Sequence, residues 1–133
     1  EAAGKPIDHV LINLGTNDCK AVFDERQKEV PENLTKLISF IHNYPFENKK
    51  PQITIVSPPP YGPDSIMLEK YHGGDKRVQA LVPQFEQIAI EMNCGFVNIY
   101  DELKPVYQQY SPDGVHMKAE GQVLIAQKIK KHF

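Results

Sequence analysis

The chain has 133 residues, 15 basic against 17 acidic side chains, a formal net charge of −2, 41% hydrophobic residues and 24% charged ones. That length fits one domain, taken as residues 1–133, and suffices to bury a core without disulfides or metal. The balance excludes a wholly disordered chain and a nucleic-acid binder working by bulk charge. Two cysteines, Cys19 and Cys94, make no disulfide framework, and no apolar run reaches the ~18 residues of a membrane span. The chain opens at Glu1 without a Met and without a signal-peptide pattern, so its natural start is expected elsewhere. A signal peptide preceding Glu1 would make the protein secreted or periplasmic.

Residues 7–14, IDHVLINL, form a short, almost continuous apolar run that ends at Gly15. Such a run predicts a strand buried on both faces, as in a parallel sheet. After the polar stretch 15–29, Leu34, Leu37, Ile38 and Ile41 recur at helical spacing, with Pro31 suited to a first turn. QITIVS, 52–57, is a second strand rich in β-branched residues. Residues 58–76 hold four Pro and three Gly and predict a long loop of the kind that more often serves function. A helix follows, burying Val78, Leu81, Val82, Phe85, Ile88, Ala89 and Met92; Pro83 should kink or restart it, and Gly95 should close it. FVNIY, 96–100, is a third strand, DELKPVYQQY a short helix or turn, and SPDGVH a loop. The last helix, 118–132, shows Val123, Ala126 and Ile129 on one side. Strands alternating with helices predict an α/β fold with right-handed crossovers and a parallel sheet covered on both faces.

Ligands of open α/β sheets bind beyond the carboxyl ends of the strands, here near GTND (15–18), SPPP (57–60) and residues 100–116. In Asp113-Gly114-Val115-His116 the carboxylate can accept from one imidazole nitrogen, fixing the tautomer and leaving the other nitrogen as a base. The same four residues also suit an Asp that caps a helix beside a surface His. In Gly15-Thr16-Asn17-Asp18, Gly15 permits a sharp exit from the strand, and Asn17 offers an NH2 donor suited to an oxyanion. A plain Gly/Asn/Asp turn fits as well.

Taken together, GTND after one strand, DGVH before the last helix and ITIVSPPP between them resemble the SGNH hydrolases, also called GDSL-like lipases and esterases. The likeness runs from residue 7 to 133 and implies a flavodoxin-like three-layer αβα sandwich. It implies that Asn17 donates to the oxyanion, with Gly15 supporting that loop, and that Asp113 and His116 are the acid and base of a triad. It further implies a carboxylic ester substrate, such as an acetyl or short acyl ester of a sugar or simple alcohol, and no cofactor. Two blocks of the family are not found: the GDS-type block with the nucleophilic Ser, and the block with a Gly whose N–H joins the oxyanion hole. The GTND strand comes third in the family and first here. The chain thus reads as the C-terminal portion of such a domain, with its N-terminal strands and nucleophile outside it.

Other serines fit the nucleophile poorly. Ser39 lies in a predicted helix, Ser65 in the long loop and Ser111 beside DGVH; Ser57 ends a strand on the correct rim, but none sits in a nucleophile-type turn. Cys19 has no CxxC partner and reads as a free thiol, and His9, His42 and His132 lack ligand spacing, so no metal site is inferred. His72 suits either a substrate contact or a solvated loop, while Tyr61, Tyr71, Tyr107 and Tyr110 suit a pocket lining or plain packing. The competing reading is a catalytically inactive relative, or a flavodoxin-like ligand-binding module. Either way, the strand at 7–14 without its neighbours would be an exposed apolar edge, which predicts an N-terminal fragment or another copy of the chain as its cover.

Overall fold

The computed structural model describes residues 6–133. In order they form β1 (His9–Asn13), α1 (Glu29–Asn43), β2 (Gln52–Val56), α2 (Gly74–Glu91), β3 (Gly95–Val97), α3 (Ile99–Leu103), α4 (Tyr107–Tyr110) and α5 (Ala119–Lys130). The strands make one parallel sheet in the order β1-β2-β3, with Leu11 opposite Thr54 and Thr54 opposite Gly95.

Alternation along β2 sets the layers. Ile53 and Ile55 pack, with Ile12 of β1, against Leu34 and Ile38 of α1 and Val78, Leu81 and Phe85 of α2. Val56 of β2 and Val97 of β3 join a second cluster with Ile99, Leu103 and Tyr107, closed by Leu124, Ile125 and Ile129 of α5. Each such side chain contributes about 1.5–3 kcal/mol when fully buried, so the two clusters hold one helical layer on each face. This is the αβα sandwich expected from the alternation of elements.

Several local expectations are corrected. β2, not β1, is the strand buried along nearly its whole length; Leu11 is 48% and Leu14 58% exposed, because β1 is an edge among the described residues. α2 runs unbroken through Pro83. Pro83 and Gln79 both face solvent, where water can bond the carbonyl that the missing N–H leaves free. The stop of α2 is Asn93, left-handed at φ 54, with Cys94 N–H reaching back to the Ala89 carbonyl at 2.8 Å; Gly95 instead opens β3. Ile99 and Tyr100 belong to α3, because the Asn98 side chain caps that helix by accepting from Asp101 N–H. On α5, Val123 and Ala126 face solvent and the packed face is Leu124, Ile125 and Ile129. Gly121, buried against Tyr110 and Met117, sets that phase.

Candidate active site

Both sequence motifs lie on the rim beyond the carboxyl ends of the strands. Gly15 takes the chain out of β1 at φ +114, and a Cβ there would fall 2.8 Å from Pro58 Cγ. No other residue turns this corner so close to the exit of β2. Asn17–Cys19 then form a single 3-10 turn.

On the other side, Asp113 and His116 are paired. His116 Nδ1 lies 2.7 Å from Asp113 Oδ2, while Asp113 Oδ1 accepts the backbone N–H of Val115 at 2.9 Å and of His116 at 2.7 Å. Desolvation pulls the Asp113 carboxyl upward, but these three donors outweigh it and hold it down at about 2. The carboxylate therefore accepts throughout the neutral range and favours the tautomer with the proton on Nδ1. His116 is 73% exposed, and among the described residues Nε2 has no hydrogen-bond partner. The capping alternative for Asp113 is not seen: its carboxylate bonds within its own loop, and Lys118 stands before α5 without a side-chain cap.

The loop after β2 joins the two motifs. The Tyr61 hydroxyl donates to the Thr16 carbonyl at 2.6 Å, and the next residue, Gly62, donates its N–H to the Gly114 carbonyl at 2.7 Å. Consecutive residues of one strut thus bond GTND on one side and DGVH on the other. Tyr71 lies edge-on to the His116 ring, with centroids 6.4 Å apart. A cavity of about 440 Å³ beside the strut is lined by Tyr61, Gly62, Asp64, Asp75, Lys104 and Tyr107. A smaller apolar one of about 160 Å³, lined by Leu14, Gly15, Val30, Leu37 and Phe85, adjoins the Asn17 turn.

The two buried serines are engaged elsewhere. Buried Ser57 accepts Tyr100 N–H at 3.1 Å, and buried Ser111 donates its hydroxyl to the His116 carbonyl at 3.0 Å. Ser39 lies in α1, and Ser65 is exposed in the turn Asp64–Ile66. The Cys19 thiol is fully buried, and burial pushes it up to about 12 against the opposing charge of Arg77. His72 lies 3.1 Å from the Met67 carbonyl of its own loop, and His9 Nε2 lies 2.8 Å from Thr54 Oγ1. Among the described residues no group of His, Cys, Asp and Glu has a metal-binding arrangement, and no helix is long and apolar enough to cross a membrane. Sequence reasoning did not find the side chains that grip the Asn17 turn: Gln27 donates to the Asp18 carbonyl at 2.7 Å and Arg77 to the Cys19 carbonyl at 2.8 Å. Neither stands in a motif.

A parallel αβα sandwich with an Asn turn after one strand and an Asp–His loop before the last helix is the arrangement that the resemblance to the SGNH family implies. The chain belongs to the GDSL-like lipase/acylhydrolase family, whose model matches residues 1–124. It is similar to a carbohydrate acetylesterase family member from Sinorhizobium meliloti, with 29% identity and a TM-score of 0.69, over 87% of this chain and 55% of that one. A carbohydrate acetylesterase from the same organism is 25% identical, with a TM-score of 0.70, over 99% of this chain and 64% of that one. The lipase/acylhydrolase from Enterococcus faecalis shares the fold, with 21% identity and a TM-score of 0.74, over 94% of this chain and 60% of that one. The chain therefore spans less than two thirds of the length of these structures. No curated protein matches it.

Proposed function

We propose that these residues are the C-terminal portion of a serine esterase domain, carrying its base, its acid and one oxyanion donor. The nucleophilic Ser lies in a segment outside the 133 residues. The observation that carries this reading is the single strut, Tyr61–Gly62, bonded to both the Asn17 turn and the Asp113–His116 loop. The engagement of Ser57 and Ser111 supports an external nucleophile.

In this mechanism His116 Nε2 takes the proton of the Ser hydroxyl as its oxygen attacks the ester carbonyl. The Asn17 NH2 donates to the oxyanion that forms, a contact worth about 3 kcal/mol in related chemistry. Collapse breaks the bond to the alkoxide, which takes the proton from His116. Water, deprotonated by His116, then releases the acid and restores the Ser. Asp113 orients the imidazole and offsets its positive charge. The substrates are acetyl or short acyl esters of sugars or simple alcohols, a choice supported by the carbohydrate acetylesterase family member at 29% identity and the carbohydrate acetylesterase at 25%.

The open edge of β1, with exposed Leu11 and Leu14, is covered in this reading by a segment N-terminal to these residues. Sedimentation of the isolated chain should show self-association through that edge. A monodisperse monomer would count against it, and a defined dimer would name a second copy as the cover.

The catalytic test adds a short-chain nitrophenyl ester to the full-length protein and to its His116→Ala form. Loss of turnover in the variant is expected, and equal hydrolysis by the two would remove the mechanism. The isolated chain should give at most trace turnover; robust hydrolysis would place the nucleophile inside it.

A further inference from the structure

The turn that carries Asn17 is weak on its own. Cys19 N–H reaches the Thr16 carbonyl at 3.1 Å and Lys20 N–H the Asn17 carbonyl at 3.3 Å, and no side chain caps it. Bonds of this 3-10 type are poorer than α-helical ones, and an isolated turn opens readily unless tertiary contacts hold it. An oxyanion donor tolerates little of this: a displacement of ~1 Å costs up to about a hundredfold in rate.

Three side chains from three other segments supply the missing rigidity. Tyr61, in the loop after β2, donates to the Thr16 carbonyl at 2.6 Å. Gln27, just before α1, donates to the Asp18 carbonyl at 2.7 Å. Arg77, in the first turns of α2, donates from Nε to the Cys19 carbonyl at 2.8 Å. With Lys20 N–H on Asn17, all four successive carbonyls of the turn carry a donor from outside it or from its end.

Arg77 does more than one bond. Its other nitrogens reach the His72 carbonyl and Asp24 Oδ1, so one guanidinium ties the Asn17 turn, the turn Ala21–Arg26 and the long loop together. The Asp24 carboxylate is 66% exposed, so that ion pair alone is worth little. The fork's bonds to carbonyls are the part that lysine cannot reproduce. Gln27 also donates to the Phe23 carbonyl, at 3.0 Å, which fixes its amide orientation.

We infer that Tyr61, Gln27 and Arg77 are positioning residues for Asn17, clamping the carbonyls around it so that its NH2 group is aimed before substrate arrives. The inference rests on the reading of Asn17 as the oxyanion donor. None of the three touches substrate; each acts through the backbone of the turn. Because Tyr61 belongs to the strut that also holds Gly114, the clamp fixes the donor relative to the base as well.

The experiment is a double-mutant cycle on the full-length protein with a short-chain nitrophenyl ester, with melting temperature followed for every variant. Tyr61→Phe removes one hydroxyl and leaves the Thr16 carbonyl with its bond from Cys19 N–H. Tyr61→Phe and Arg77→Met should each lower kcat about tenfold with KM within about twofold, since the lost interaction is made in the transition state. Arg77→Lys should not rescue the loss. In an Asn17→Ala background the same two changes should cost less than about twofold more, because the donor they aim is gone. A full further loss in that background would overturn the inference by showing that they act through the fold or the His116 loop. Unchanged kcat in both single variants would overturn it too. If Arg77→Met fails to fold, Tyr61→Phe alone decides. If Asn17→Ala itself leaves kcat unchanged, it is the oxyanion reading that fails, a result separate from the other two.

Discussion

Replacing Gly114 with alanine should destabilise the protein by about 2–5 kcal/mol. Gly114 has φ +80, where an L side chain costs about 1–2 kcal/mol. The new Cβ would fall 2.7 Å from Met67 Cγ and 3.1 Å from Gly62 Cα. Met67 is buried and cannot swing away without leaving a void, and Gly62 is backbone tied to Gly114 by a 2.7 Å hydrogen bond. Overpacking of this kind costs about 1–3 kcal/mol, which gives the sum above. Gly73→Ala is the control. Its φ is +73, and the nearest atom is Arg77 Nη1 at 3.0 Å, which has to give by only a few tenths of an ångström, so about 1–2 kcal/mol is expected, mainly from the backbone. Urea unfolding measures both, and in a melt each kcal/mol moves Tm by about 3–4 °C at this chain length. A loss below about 1 kcal/mol for Gly114→Ala, or one no larger than that of Gly73→Ala, would refute the packing argument.

The Asp113 carboxyl should titrate near 2 by carbon-13 NMR, and its midpoint should rise in His116→Ala, because the imidazole's hydrogen bond and charge no longer oppose desolvation. An unmoved midpoint would remove the imidazole as a cause. Since the folded value is depressed, Asp113 adds stability above its unfolded value of about 4 that is lost as pH falls through about 2. Half exposure makes that contribution small. A disulfide reagent should modify half-buried Cys94 well before Cys19, whose thiol is fully buried and held up at about 12; equal rates would show that the Asn17 turn opens freely.

The layers of the fold were legible because periodicity reports burial. The face of α2 from Val78 to Ala89 and the apolar run of β2 are buried as their spacing implies. IDHVLINL has the composition of a central strand, and the exposed apolar edge expected of it without neighbours is what the described residues show at Leu11 and Leu14. Where local expectations failed, a neighbour decided. Pro83 lacks its N–H wherever it stands, yet on the solvent face that defect is tolerable, and composition cannot say which face a proline takes. The phase of α5 was set by how closely Gly121 approaches Tyr110 and Met117, a contact with no periodicity of its own.

The site divides the same way. Asp113 and His116 were legible because their chemistry is local: three residues apart, they can bond only if their own loop turns, and it does. The turn that carries Asn17 was legible because Gly15, at φ +114, permits the sharp exit from the strand. Tyr61, Gln27 and Arg77 were not, because each acts through a backbone carbonyl. Every residue has such a carbonyl, so the sequence of the turn says nothing about which distant donor will claim it. The motifs thus mark the loops themselves, while the side chains bonded to the carbonyls of the Asn17 turn come from 9 to 58 positions away and only the folded chain reveals them. It follows that a relative keeping GTND and DGVH but losing the Tyr61 hydroxyl and the Arg77 fork should bind esters normally and turn them over slowly.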